Sequence, residues 1–145
     1  MTENRFRRDL IERMNGRWLV AIHRENNYNP GVPDLSFVMV APGHETGWLE
    51  LKISSLRSRK PLLFKVEPSQ HQWMTRYAHR VPTYFLIKVG SQYFLVDGRF
   101  HNALAGDVMI EDLARVSTME FTDSNLVTGL TDTLSKLTRR NRYES

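Results

Sequence analysis

Phe6, Leu10, Ile11 and Met14 recur at intervals of three and four residues, the spacing of one helix face. Residues 3–15 are therefore predicted to form an amphipathic helix, which Gly16 ends. Thr2 is placed to cap it, and Glu3 falls in the first turn, where an acid suits the helix dipole. Glu12 lies further along the same helix, as a surface partner for a nearby arginine. From residue 17 the period changes: Trp18, Val20 and Ile22 alternate, which predicts a strand over 17–23. A polar stretch, Arg24 to Asn29, leads into two apolar runs that flank Pro42-Gly43, with Gly47 closing the turn. That spacing predicts a hairpin with a loop longer than two residues. In its second strand, 48–54, Leu49, Leu51 and Ile53 share one face, and Glu50 and Lys52 share the other.

Residues 54–67 read as a basic loop carrying Arg57, Arg59, Lys60 and Lys65, in which Pro61 argues against a helix. Pro68 suits a helix start, followed by Ser69 and Gln70; Trp73, Tyr77 and Val81 make an apolar stripe that Pro82 ends. Two strands, 83–89 and 92–96, turn at Gly90-Ser91, and their aromatic and β-branched content places them centrally in a sheet. Asp97-Gly98 turns the chain outward. A helix is predicted over 110–116, with Asp107 as its cap. Asp123-Ser124 opens a last helix to about Leu137, with Leu126, Val127, Leu130, Leu134 and Leu137 on one face. Arg139, Arg140 and Arg142 form a basic tail, either an unstructured end or a second phosphate contact. The pattern belongs to the mixed α/β class.

A chain of 145 residues with 41% apolar and 25% charged residues suits one globular domain, 1–145, with a sizeable core. No apolar run reaches membrane-spanning length, and the polar N-terminus is unlike a secretory signal, so no membrane partner and a cytoplasmic location are expected. The absence of cysteine excludes disulfides, thiolate-bound zinc and a cysteine nucleophile. The five histidines are scattered without zinc-ligand spacing, and no glycine-rich phosphate loop occurs. Charge changes the picture more. Residues 51–100 carry nine Lys/Arg against two Asp/Glu, just after Glu50, which suggests a polyanionic partner and makes the 54–67 loop the candidate contact to a phosphate backbone.

The chemistry gathers between Asn29 and Ser54. A symmetric hairpin register brings Asp34 opposite Lys52 to Ser54, with Asp34 and Glu50 at the same end. Two carboxylates about 4 Å apart repel by roughly 4 kcal/mol at an effective dielectric of about 20. A divalent cation with a taste for hard oxygen ligands, Mg²⁺ or Mn²⁺, removes that repulsion. Lys52 adds a positive charge able to orient a water or stabilise charge on a phosphate. The same residues also suit a solvated hairpin face with a Glu-Lys pair.

In the order helix, strand, hairpin, helix, strand, strand, the segments Pro33-Asp34 and Glu50-Leu51-Lys52 resemble the PD-(D/E)xK nuclease superfamily. Pro30-Gly31-Val32-Pro33-Asp34-Leu35, and the later Pro68-Ser69-Gln70 with Trp73, are similar to the VRR-NUC and phage Holliday-junction-resolvase-like branch. The resemblance spans about residues 3–96 and implies an αβββαβ core, a mixed central sheet flanked by helices, with a helical extension over 97–138 and the basic tail over 139–145. It implies a Mg²⁺-dependent endodeoxyribonuclease, phage-encoded and acting on branched DNA as a homodimer. Asp34, Glu50 and the Leu51 carbonyl would hold the metal, Lys52 would orient the attacking water, Glu3 would hold a metal or its water, and Gln70 would fix the site. Other substrates for the same fold, such as duplex, nicked or flap DNA, and a non-cleaving nucleic-acid-binding module stay open at this point.

Overall fold

In a computed structural model of the chain, residues 1–40 and 44–144 are described, and of 138–144 only the backbone. The elements are α1 (Glu3–Met14), β1 (Trp18–Ile22), β2 (Leu35–Met39), β3 (Thr46–Ser54), α2 (Pro68–Tyr77), β4 (Thr83–Val89), β5 (Gln92–Asp97), a 3₁₀ helix (Gly98–Leu104), α3 (Ile110–Val116), β6 (Met119–Thr122) and α4 (Leu126–Glu144). The expected order of helix, three strands, helix and strand is observed. Thr2 caps α1 as expected, its hydroxyl accepting from the Arg5 amide at 3.1 Å.

The strands form one six-stranded sheet in sequence order, β1 to β6. Among the described strands only β3 and β4 run parallel, joined by the crossover through α2; the other neighbours are antiparallel. Two apolar layers cover the sheet. On one face Phe6, Leu10 and Met14 of α1 and Leu126, Leu130 and Leu134 of α4 pack on Leu35, Phe37, Leu49 and Leu51. On the other, Trp73 and Met74 of α2, Leu104 of the 3₁₀ helix and Leu113 of α3 pack on Phe85, Ile87, Phe94 and Val96.

Several expectations need correction. The β2–β3 register pairs Leu35 with Leu49 and Phe37 with Gly47, so Asp34 arrives beside Glu50 and Leu51 rather than opposite Lys52 to Ser54. Gly47 lies inside β3, not in the turn. A Cβ there would sit 2.8 Å from Phe37 Cζ, so the missing side chain makes room for the Phe37 ring, which stacks on Trp18 at 4.8 Å. The Pro42-Gly43 turn lies outside the described residues. The stripe helix ends at Tyr77, and Val81 packs from the segment after it. The C-terminal third is not purely helical, because β6 extends the sheet beside β5. The last helix continues through the basic tail to Glu144, so that tail is not an unstructured end, and the side chains of Arg139, Arg140 and Arg142 lie outside those described. Asp107 does not cap α3, whose N-cap is Met109; its carboxylate pairs with Lys65 at 2.8 Å.

Candidate active site

The site forms where β2 leaves the sheet. The β2–β3 ladder stops at Leu35 and Leu49, whereas β3 stays paired with β4 as far as Ser54. Beyond Leu49 the other edge of β3 is therefore open. Asp34 fills the gap: its Oδ2 accepts from the Leu51 amide at 2.8 Å, replacing the missing ladder bond. Glu50 and Lys52 project on the face that α2 covers. Both are buried, at 2% and 5% exposure, where charged residues rarely sit unless paired.

Gln70 in the first turn of α2 supplies the pairing. Its Oε1 accepts from Lys52 Nζ at 2.9 Å and from the Glu67 amide at 2.9 Å, and its Nε2 donates to Glu50 Oε2 at 3.0 Å. The Oε1 role as double acceptor fixes which way the amide faces. One side chain thus closes the capping box of α2 and holds both buried ions of β3. Nothing in the sequence set Gln70 apart from a surface glutamine except the resemblance.

The carboxyl groups of Glu50 and Asp34 share a hydrogen bond. Burial pushes the Glu50 carboxyl well above the usual carboxylate range; the Asp34 hydrogen bond and charge push the same way, against the pull of Lys52. Glu3, exposed in the first turn of α1, is also raised, by desolvation first, with Lys52 opposing and Asp34 adding. It lies within electrostatic reach of the pair, but among the described residues no three His, Asp or Glu side chains gather closely enough to cage a metal. The donor set is a carboxylate pair.

A cavity of about 330 Å³ opens on the pair, and its wall holds Asp34, Glu50 and Gln70 together with Arg7, Arg24 and Glu25. The three last-named were missed from sequence, since they come from α1 and the β1–β2 loop with no motif to mark them. A second cavity of about 580 Å³ shares Arg7 and Arg24 and adds Arg8. Among the described residues none of these arginines is paired with an acid. The expected phosphate contacts stand apart from this wall. Arg57 and Arg59 line a different cavity with Ile110 and Glu111, Arg57 donates to the Pro61 carbonyl at 3.1 Å, and Lys65 is engaged with Asp107; Lys60 is exposed.

A histidine pair pins α2 from behind. Thr75 Oγ1 donates to the His71 carbonyl, so it accepts from His101 Nε2 at 3.2 Å; His101 Nδ1 then accepts from His71 Nδ1 at 2.8 Å. Burial holds both imidazoles below the usual histidine range, with the Lys52 charge adding for His71.

The architecture has a known counterpart. The Holliday junction resolvase Hjc of the archaeal hyperthermophile Archaeoglobus fulgidus superposes with a TM-score of 0.53 over 77% of this chain and 92% of its own, at 15% identity. This chain has the fold of that resolvase. A mixed central sheet flanked by helices is the architecture that the sequence resemblance implied. No family model matches the sequence, and no curated protein matches it.

An acid whose value is raised in the folded state stabilises the fold while protonated, and that stability is lost as pH rises through the folded value. Without metal, the protein is therefore expected to lose stability as pH climbs from the ordinary carboxylate range past the raised Glu50 value. Glu50→Gln, neutral throughout and still able to accept from Gln70, is expected to melt higher than the parent at about pH 8 and to flatten the profile. Thermal denaturation from about pH 5 to about pH 8 in EDTA measures this; a Glu50→Gln protein that melts below its parent at the alkaline end contradicts it.

Proposed function

We propose that this chain is a divalent-metal-dependent endonuclease that hydrolyses phosphodiester bonds in DNA, with branched DNA as its substrate. The observation that carries the reading is buried Glu50 paired with half-buried Asp34, with buried Lys52 beside them. A structural role would rarely bring two hydrogen-bonded acids and a lysine under one helix end with a cavity opening on them.

The donors suit Mg²⁺ or Mn²⁺. Mg²⁺ is commonly held by one or two carboxylates, with water and substrate phosphate completing its shell, so a pair rather than a cage is adequate. Asp34 and Glu50 would hold the ion. The Leu51 carbonyl leaves the strand on the same edge as its N–H, the edge that faces Asp34, and would join them. When bound, the ion would polarise the phosphate and activate water. Lys52, its ammonium anchored on Gln70, sets a fixed positive charge against the attacking water and the charge that develops on the phosphate. Gln70 keeps Glu50 from rotating away, and Glu3, within electrostatic reach of the pair, would hold a metal or its water. Arg7 and Arg24 would take the phosphates next to the scissile bond, with Arg57, Arg59 and Lys60 as contacts farther along. The branched substrate is carried over from the resolvase with the same fold, and two symmetric cuts in a junction call for a homodimer.

Purified protein on four-way, flap, linear and single-stranded DNA is expected to cut four-way junctions in Mg²⁺ or Mn²⁺ and not in EDTA. Asp34→Asn and Lys52→Ala are each expected to lower the single-turnover rate by about 10²-fold or more. Variants that cut like the parent would remove these residues from the site. Equal cutting of duplex or flap DNA would widen the substrate to the fold's other DNA targets. Replacing Arg7 and Arg24 by alanine is expected to flatten the salt dependence of binding, by a slope change of about 2. An unchanged slope would move the DNA surface elsewhere.

A further inference from the structure

Glu25 sits in the loop between β1 and β2, exposed and without a motif. Its Oε1 accepts from the Gly31 amide at 2.5 Å and from Ser69 Oγ at 2.9 Å. Gly31 lies three residues before Asp34, and Ser69 immediately precedes Gln70. One carboxylate oxygen therefore ties the arm that delivers Asp34 to the helix turn that delivers Gln70. A separate observation shows how close these two pieces come. Gly31 has φ of +75°, and a Cβ on it would lie 2.0 Å from the Ser69 carbonyl oxygen. Only glycine allows both the left-handed backbone and the contact.

We propose that Glu25 is a positioning residue that latches the Asp34 arm to α2. The proposal rests on the reading above, in which Asp34 and Gln70 serve one site. The latch is needed because the sheet holds Asp34 from the β1 side alone, where its carbonyl accepts from the His23 amide at 2.8 Å. The last β2–β3 pair is Leu35 with Leu49, so Asp34 lies beyond the ladder. Its arm is held by the His23–Asp34 backbone bond, by the Asp34–Leu51 bond, by Val32 buried among the side chains under α2, and by Glu25. Removing the latch lets Asp34 drift relative to Glu50 and Gln70, and displacement of a reacting group by about 1 Å costs about 10²-fold in rate.

Both donors to Glu25 are neutral, so the latch needs an acceptor and not a charge. Glu25→Gln keeps an acceptor oxygen; Glu25→Ala does not. The test compares the parent, Glu25→Ala, Glu25→Gln and Ser69→Ala by amide hydrogen exchange at Gly31 and by cleavage of a four-way junction in Mg²⁺. For Glu25→Ala the expected result is lost protection at Gly31 and a kcat lowered by about 10- to 10²-fold with KM unchanged. Glu25→Gln is expected to keep Gly31 protected and kcat within about threefold of the parent, allowing for the weaker neutral hydrogen bond. Ser69→Ala, which removes one of the two donors, is expected to fall between them and keeps the test open should Glu25→Ala fail to fold. Gly31 protection unchanged in both alanine variants overturns the latch, as does protection lost at no cost in kcat. A Glu25→Gln protein as slow as Glu25→Ala with Gly31 still protected overturns it too, because the charge would then be what matters. If the parent cuts no DNA, the nuclease reading fails, while exchange at Gly31 still decides whether the latch exists.

Discussion

Two carboxyl groups pressed together beneath a helix are the constraint on which this structure turns. Glu50 is nearly inaccessible and Asp34 is its hydrogen-bond partner, so both cannot be ionised there without compensation. At about 4 Å and an effective dielectric of about 20 the repulsion is roughly 4 kcal/mol, a large share of the stability of a domain this size. A proton on Glu50 relieves it, and burial favours that proton. A divalent cation relieves it as well. In the proposed nuclease a proton and a cation would compete for this place, with Lys52 and Gln70 present in both states.

The scaffold exists to hold that conflict in one geometry. The parallel β3–β4 pair gives a rigid floor, and the crossover through α2 returns the chain over Glu50 and Lys52. β2 stops early and leaves the notch that Asp34 enters. Gln70 joins helix start to floor, and Glu25 joins the Asp34 arm to the same helix start. The likeness to the archaeal resolvase persists at 15% identity, so this scaffold is compatible with very different sequences.

Much of this was readable from periodicity. Helices α1, α3 and α4 and strands β1 to β3 announce themselves through apolar spacing, and β4 and β5 through aromatic and β-branched runs buried on both faces. β6 did not: of its four residues only Phe121 is buried, too few to make a period. The 3₁₀ helix escaped because its turns have no apolar stripe. The hairpin register failed by two to four residues, since a symmetric hairpin ignores the packing of Phe37 over Gly47. At the site, Asp34, Glu50 and Lys52 were nameable from the hairpin pattern and Gln70 through resemblance alone, and the structure brings them together. Glu25, Arg7 and Arg24 were not, because they reach the cavity through tertiary folding alone. Lys65 looked free to meet phosphate until the fold placed Asp107 beside it.

The most direct measurement is calorimetric titration of the metal-free protein with Mn²⁺ over a pH series from about 5 to about 8, each in two buffers that differ in ionisation enthalpy. If Asp34 and Glu50 exchange a proton for a cation, the apparent heats will differ between buffers by the release of a proton, binding will tighten as pH rises, and Glu50→Gln will abolish the release. Binding that liberates no proton, or no binding at all, would contradict the account.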